Sequence, residues 1–172
     1  YGRDEVVKTI RTGVDGIAST ASDTLPYGTY RLDESKSPEG YLTTGAVSHD
    51  FEIKENGKIV DLTDKESSVY NQIIRGGVKI QKRDLETKDT KPQGGASLKD
   101  TEFTITTLNE NTVLVGGKLF SKDEVVKKIH AGIDGIATTE KDTLPYGKYR
   151  IEESKAPDGY LTDGAKPIEF EI

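Results

Sequence analysis

The sequence predicts an all-β protein, an antiparallel β-sandwich repeated in tandem with one short helix in each repeat. Two observations carry this. Apolar and polar residues alternate with period two in stretch after stretch, set apart by Gly, Pro, Asn and Asp turns. A long segment of the chain also occurs twice.

The repeat sets the frame. "DEVVK" begins at Asp4 and again at Asp123, 119 residues on. That offset holds without a gap from 4–53 against 123–172, with about two-thirds of the positions identical. A 119-residue unit is a domain-sized bead and not a solenoid turn. The chain therefore reads as a window of about one and a half repeats. Residues 1–75 are the C-terminal part of one, without its first strands. Residues 76–172 are the next, without its last strand. "IRGG" at 74–77 is the expected junction.

The strands follow in order. "DFEI" at 50–53 and "EFEI" at 169–172 each place Phe and Ile two apart. "SSVYNQII" at 67–74 puts Val69, Asn71 and Ile73 on one face. "GVKIQKRD" sets Val78, Ile80 and Lys82 against Lys79, Gln81 and Arg83. "TEFTITT" sets Phe103 and Ile105 against threonines, and "YGKYRIEE" sets Tyr149, Ile151 and Glu153 against Arg150 and Glu152. Strands at this spacing fit two packed antiparallel sheets. The helix is expected over 121–130. Ser121 is its N-cap, Glu124 completes a capping box, and Val125, Val126 and Ile129 cover an edge or end of the sandwich.

Composition bounds the function. Of 172 residues, 33% are hydrophobic and 31% charged, so the core is modest. The net charge of −6 argues against nucleic-acid binding, which needs a basic face. No apolar run approaches the ~20 residues of a membrane span, so no membrane insertion is expected, and the N-terminus is not signal-like. There is no Met, as expected of an excised or processed piece, and no Cys. A small extracellular domain without disulfides needs another staple.

The strand faces offer one. Lys82, Glu153 (with Glu34 in the other copy) and Asn71 are polar residues in phase with apolar neighbours on three different strands. A strand-end lysine or glutamate that reaches solvent, or a satisfied core amide, explains each alone; the three together point elsewhere. Burial in general disfavours charge. A neutral amine is a nucleophile. It can attack an asparagine side-chain carbonyl while a neighbouring protonated carboxyl polarises that carbonyl and shuttles protons until ammonia leaves. The product is an intramolecular isopeptide bond, formed once.

These same stretches carry a resemblance. "VKIQKRD", "GGASLKDTEFTI" at 94–105, "LPYGKYRIEESKAPDGY" at 144–160, "FEIKENGKIV" at 51–60 and "SVYNQIIRGG" at 68–77 resemble tandem CnaB-type, SpaA-like prealbumin-fold domains of Gram-positive surface proteins and pilins. They cover nearly the whole chain. The resemblance implies a prealbumin-like, Greek-key sandwich. It also implies that Lys82 is the reactive lysine, Glu153 and Glu34 the catalytic glutamates, and Asn71 the acceptor. Because Asn71 ends one repeat and Lys82 begins the next, neither repeat is expected to hold a whole triad in this chain.

Other chemistry is weakly signalled. "LPYGT" lacks the threonine of a sortase signal at its fourth position and lies internally, so it reads as a core leucine followed by a turn. His49 and His130 are not repeat-equivalent, and no glycine pair opens a phosphate loop. "DLTDKES" at 61–67 lacks the alternating acids of a calcium loop. No cofactor and no metal are expected, and no enzymatic turnover beyond the single autocatalytic step. The predicted function is a stalk or fibre repeat of a secreted, cell-wall-attached surface protein. Its partners are adjacent copies of the repeat, with a host or matrix ligand reached through another domain. The competing reading is a ligand-binding adhesin module, which would expose an apolar patch at the positions that vary between copies. Those positions differ instead by small or polar swaps such as Thr29 for Lys148.

Overall fold

A computed structural model describes residues 1–162 and 165–172. The chain divides into two compact units, Tyr1–Pro38 with Leu42–Gln72, and Glu39–Tyr41 with Ile73–Ile172.

The first unit is built on one antiparallel hairpin. β1 (Gly28–Leu32) pairs with β2 (His49–Ile53) so that Tyr30 faces Phe51. Their rings stack at 5.7 Å. Residues 67–72 form no strand. A strand exists only where a neighbour takes its backbone groups in a ladder; here Leu42 N–H donates to Gln72 O at 2.8 Å and Ile73 forms an isolated antiparallel bridge with Tyr41. The predicted alternation survives without a ladder: Val69 and Asn71 are half-buried, Tyr70 and Gln72 exposed.

The second unit contains the remaining strands. β3 (Arg75–Gly76), within the expected junction, pairs with a strand further along the chain, and β4 (Lys79–Gln81) lies in "GVKIQKRD". β5 (Glu102–Thr107) is the "TEFTITT" strand, and β6 (Val113–Val115) and β7 (Lys118–Phe120) form a hairpin. β8 (Val125–His130), β9 (Ile136–Thr138), β10 (Leu144–Pro145), β11 (Lys148–Lys155) and β12 (Ile168–Glu171) follow. A four-stranded sheet runs β12-β11-β5-β8, while β4 pairs β9 and β10 pairs β3, all antiparallel. Phe103, Ile105, Val126, Ile129, Tyr149 and Ile151 from the large sheet meet Val113, Val115, Ala137 and Leu144 from the small ones, with Val78 and Ile80 packed against them. This is the predicted antiparallel sandwich.

The expected helix is absent. Among the described residues there is no helix, and residues 125–130 are strand β8. Half of the capping box exists, since Ser121 N–H donates to Glu124 Oε2 at 2.6 Å, but it closes a turn. Asp123 sits at φ +66, which ends any helix at its first turn. The helical spacing has another cause. Lys127 pairs with Ile105 and Val125 with Thr106, so Val126 is an extra residue in the ladder. Such a bulge brings Val126 and Ile129, three apart, to the same core (6% exposed each).

Candidate functional site

The site of the second unit begins at the end of β4. Lys79 is exposed and Ile80 half-buried, so the period-2 phase turns Lys82 inward. Lys82 N–H donates to Gly135 O at 2.8 Å and extends the β4–β9 pairing by one residue. Gly135 lies at φ +72, and a Cβ there would stand 3.1 Å from Lys82 O, so glycine admits this close approach.

Glu153 comes from β11 on the opposite side of the core. It pairs in register with Phe103, which is 4% exposed, and the register shifts just beyond it, between Glu153 and Lys155. Lys82 Nζ lies 2.6 Å from Glu153 Oε2, with side-chain exposures of 17% and 3%. Glu153 Oε1 is buried and has no hydrogen-bond partner among the described residues. A buried carboxylate oxygen left unpaired is costly.

The first unit holds a second pair. Asn71 Nδ2 donates to Glu34 Oε2 at 2.6 Å and to Ser37 Oγ at 3.1 Å. Ser37 Oγ lies 3.3 Å from Glu34 Oε2 and donates to Leu42 O at 3.0 Å. The four residues singled out in the sequence thus come together as two pairs: amine with carboxylate, and amide with carboxylate.

Three residues around these pairs escaped the sequence reading. Asp84 is 2% exposed. Its carboxylate accepts from the backbone N–H groups of Glu86 and Thr87, from Gln93 Nε2, and from the Tyr160 hydroxyl at 2.8 Å. The Thr87 N–H above all, with Gln93, Tyr160 and the Glu86 N–H behind it, holds the Asp84 carboxyl well below the usual carboxylate range, against burial. The bond ties the loop after Lys82 to the turn after Glu153. The signal was present, since Asp84 shares the phase of Val78, Ile80 and Lys82. Tyr160 and Ser37 lie inside the repeated string itself, Tyr160 matched by Tyr41 and Ser37 differing from Ala156.

The rest of that string is architectural. Leu144 is fully buried. Tyr149, also fully buried, donates its hydroxyl to Pro145 O at 2.8 Å and stacks on Phe170. Tyr30 makes the same bond to Pro26 O in the first unit. Among the described residues no group of His, Cys, Asp and Glu is arranged to hold a metal ion, and no helix is long and apolar enough to cross a membrane.

No curated protein matches the chain. Among solved structures it is similar to the Bacillus anthracis TIE protein, with 28% identity and a TM-score of 0.57 over 95% of this chain and 25% of that one. It is also similar to the group B streptococcus pilus 2b backbone protein, at 19% identity and a TM-score of 0.40 over 88% of this chain and 46% of that one. This chain therefore spans a quarter of the first protein and under half of the second. The model of the SpaA prealbumin-like fold domain matches residues 2–67 and 76–172. With an all-β antiparallel fold and a match over nearly its whole length, the chain belongs to the family of SpaA prealbumin-like fold domains.

Proposed function

We propose that this chain is part of a structural stalk or fibre on a bacterial surface, in which each complete repeat is locked by a Lys–Asn isopeptide bond of its own making. The reading divides the chain into two successive repeats, 1–75 and 76–172, each holding part of the reactive set. The observation that carries it is the part-buried Lys82–Glu153 pair, whose Glu153 Oε1 has no partner among the described residues, together with the Asn71–Glu34 pair of the other copy.

The step balances without a cofactor. At 2.6 Å one proton passes from the Lys82 ammonium to the Glu153 carboxylate, leaving a neutral amine beside a carboxylic acid. The amine lone pair attacks Cγ of the asparagine that matches Asn71 in the same repeat. The acid polarises the carbonyl and then passes its proton to Nδ2, and the carboxylate so formed takes the second amine proton. The Cγ–Nδ2 bond breaks, ammonia leaves, and Glu153 ends as the carboxylic acid. The new amide joins the first strand of the repeat to the last. Tension on a stalk peels those two ends apart, so the crosslink lies across the loaded path. Like a disulfide, it also reduces the freedom of the unfolded chain.

The family supports a surface setting, and the similarity to the Bacillus anthracis protein a bacterial one. The test is the intact mass of a polypeptide extended past Ile172 by a segment equivalent to 54–75. The expected mass is lower by one ammonia. Glu153→Gln keeps the fold and the full mass, because an amide cannot shuttle the protons. Full mass in the unmutated protein sinks the bond, and ammonia loss in Glu153→Gln sinks the role of Glu153.

A further inference from the structure

Asn56 is the one asparagine of the sequence that a glycine follows. We propose that Asn56–Gly57 is a self-modifying site: the Gly57 nitrogen closes on the Asn56 side chain, ammonia leaves, and water turns the ring into aspartate or isoaspartate. This chemistry is independent of the isopeptide reading.

A base in solvent removes the Gly57 N–H proton as the nitrogen attacks Asn56 Cγ. The N–Cγ bond forms, the Cγ–Nδ2 bond breaks, and Nδ2 takes a proton from solvent and leaves as ammonia. One water then opens the succinimide ring. Attack at Cγ gives aspartate. Attack at the Asn56 backbone carbonyl gives isoaspartate, with the main chain rerouted through Cγ. In net, an amide and a water become a carboxylate and an ammonium ion, and the chain gains one negative charge.

Ring closure needs a nitrogen that no side chain shields, an N–H not held elsewhere, and an asparagine free to turn. Gly57 has no Cβ, and its φ of +72 is backbone that glycine enters at little cost. No atom lies within 4 Å of where a Cβ would stand, so the turn has room to change shape. Residues 54–59 are exposed, and 56–57 form a turn after β2. Among the described residues neither the Gly57 N–H nor the Asn56 side chain has a hydrogen-bond partner. The Lys58–Glu55 ion pair across the turn is exposed and restrains little.

The other asparagines fail these conditions. Asn71 donates to Glu34 and Ser37 and precedes Gln72. Asn109 donates to Thr107 Oγ1 and Lys148 O, and accepts from the Lys148 N–H. Asn111 is exposed, but β-branched Thr112 follows it and crowds the attacking nitrogen. The new carboxylate at 56 stands next to Glu55 on a chain already at −6. Isoaspartate also adds a backbone atom between β2 and the segment that carries Asn71.

Alkaline hydroxylamine cuts a chain at a succinimide and leaves an isopeptide bond whole, so it separates the two kinds of ammonia loss. The folded chain is expected to be cut into 1–56 and 57–172. Because the fold does not restrain the turn, the rate should be within about fivefold of that in urea. Without hydroxylamine, incubation at mildly alkaline pH should leave isoaspartate at 56. It is read by enzymatic methyl transfer to fragment 32–75, which cleavage after arginine releases and which holds no Asp–Gly pair. Asn56→Gln, whose longer side chain needs a larger ring, and Gly57→Ala should each abolish both signals. No reaction at Asn56, reaction at Asn71, Asn109 or Asn111 in its place, or strong protection of Asn56 in the folded chain relative to urea overturns the proposal.

Discussion

Replacing Tyr149 by phenylalanine removes one hydroxyl and keeps the ring, including its 5.7 Å stack on Phe170. What is lost is the bond donated to Pro145 O at 2.8 Å. Tyr149 is fully buried and Pro145 is buried, so no water takes over at the orphaned carbonyl. An unsatisfied buried acceptor costs about 1–3 kcal/mol, and that is the expected loss for the second unit. Tyr30→Phe is the control. It removes a bond of the same length, to Pro26 O, but Pro26 is exposed and water substitutes. Its expected cost is within about 0.5 kcal/mol. The assay is urea unfolding followed at backbone NMR signals of β11 and β1, with slopes unchanged. Equal losses in the two variants would refute burial as the deciding factor, and so would a Tyr149→Phe loss below about 0.5 kcal/mol. Burial also pushes the Tyr149 phenol up to about 12 from its ordinary 10.0. The folded state then keeps a proton the unfolded state has lost. That contribution is whole below 10.0 and disappears as the pH rises towards 12. Tyr149→Phe should lack this alkaline component.

Further predictions concern backbone and core. Gly147→Ala is expected to destabilise the second unit by about 1–3 kcal/mol, since Gly147 lies at φ +144 and a Cβ would stand 2.2 Å from Asn109 Oδ1; an unchanged urea midpoint would contradict this. Asp84→Asn should lower that midpoint: the amide oxygen can still accept from the Glu86 and Thr87 N–H groups, but its NH2 then replaces Oδ2 and meets the donors Gln93 Nε2 and the Tyr160 hydroxyl. The Asp84 carboxyl is depressed in the folded state, so its contribution is present above its ordinary 3.8 and is lost as the pH falls below it. Acid unfolding curves of Asp84→Asn should lack that dependence. Val126→Ala should cost about 1.5–3 kcal/mol and Val125→Ala within about 0.5; comparable costs would argue against the bulge.

The inward residues were legible because a strand has only two faces. Once Val78 and Ile80 are inside, Lys82 and Asp84 follow, and once Tyr149 and Ile151 are inside, so does Glu153. The repeat was equally plain, and with it the correspondence of Glu34 with Glu153 and of Ser37 with Ala156. Tertiary structure decided the rest. Val125, Val126 and Ile129 have helical spacing, and only the ladder against Thr106 and Ile105 reveals that one residue is extra. Residues 67–74 alternate like a strand, yet a strand also needs a ladder of backbone partners, which alternation does not specify; here Ile73 forms an isolated bridge with Tyr41. Phase gives the face on which a side chain lies but not its partner across the core. That Glu153 meets Lys82 through one oxygen and leaves the other unpaired, while Asn71 divides its hydrogens between Glu34 and Ser37, follows from residues far apart in the chain being packed at hydrogen-bond distance.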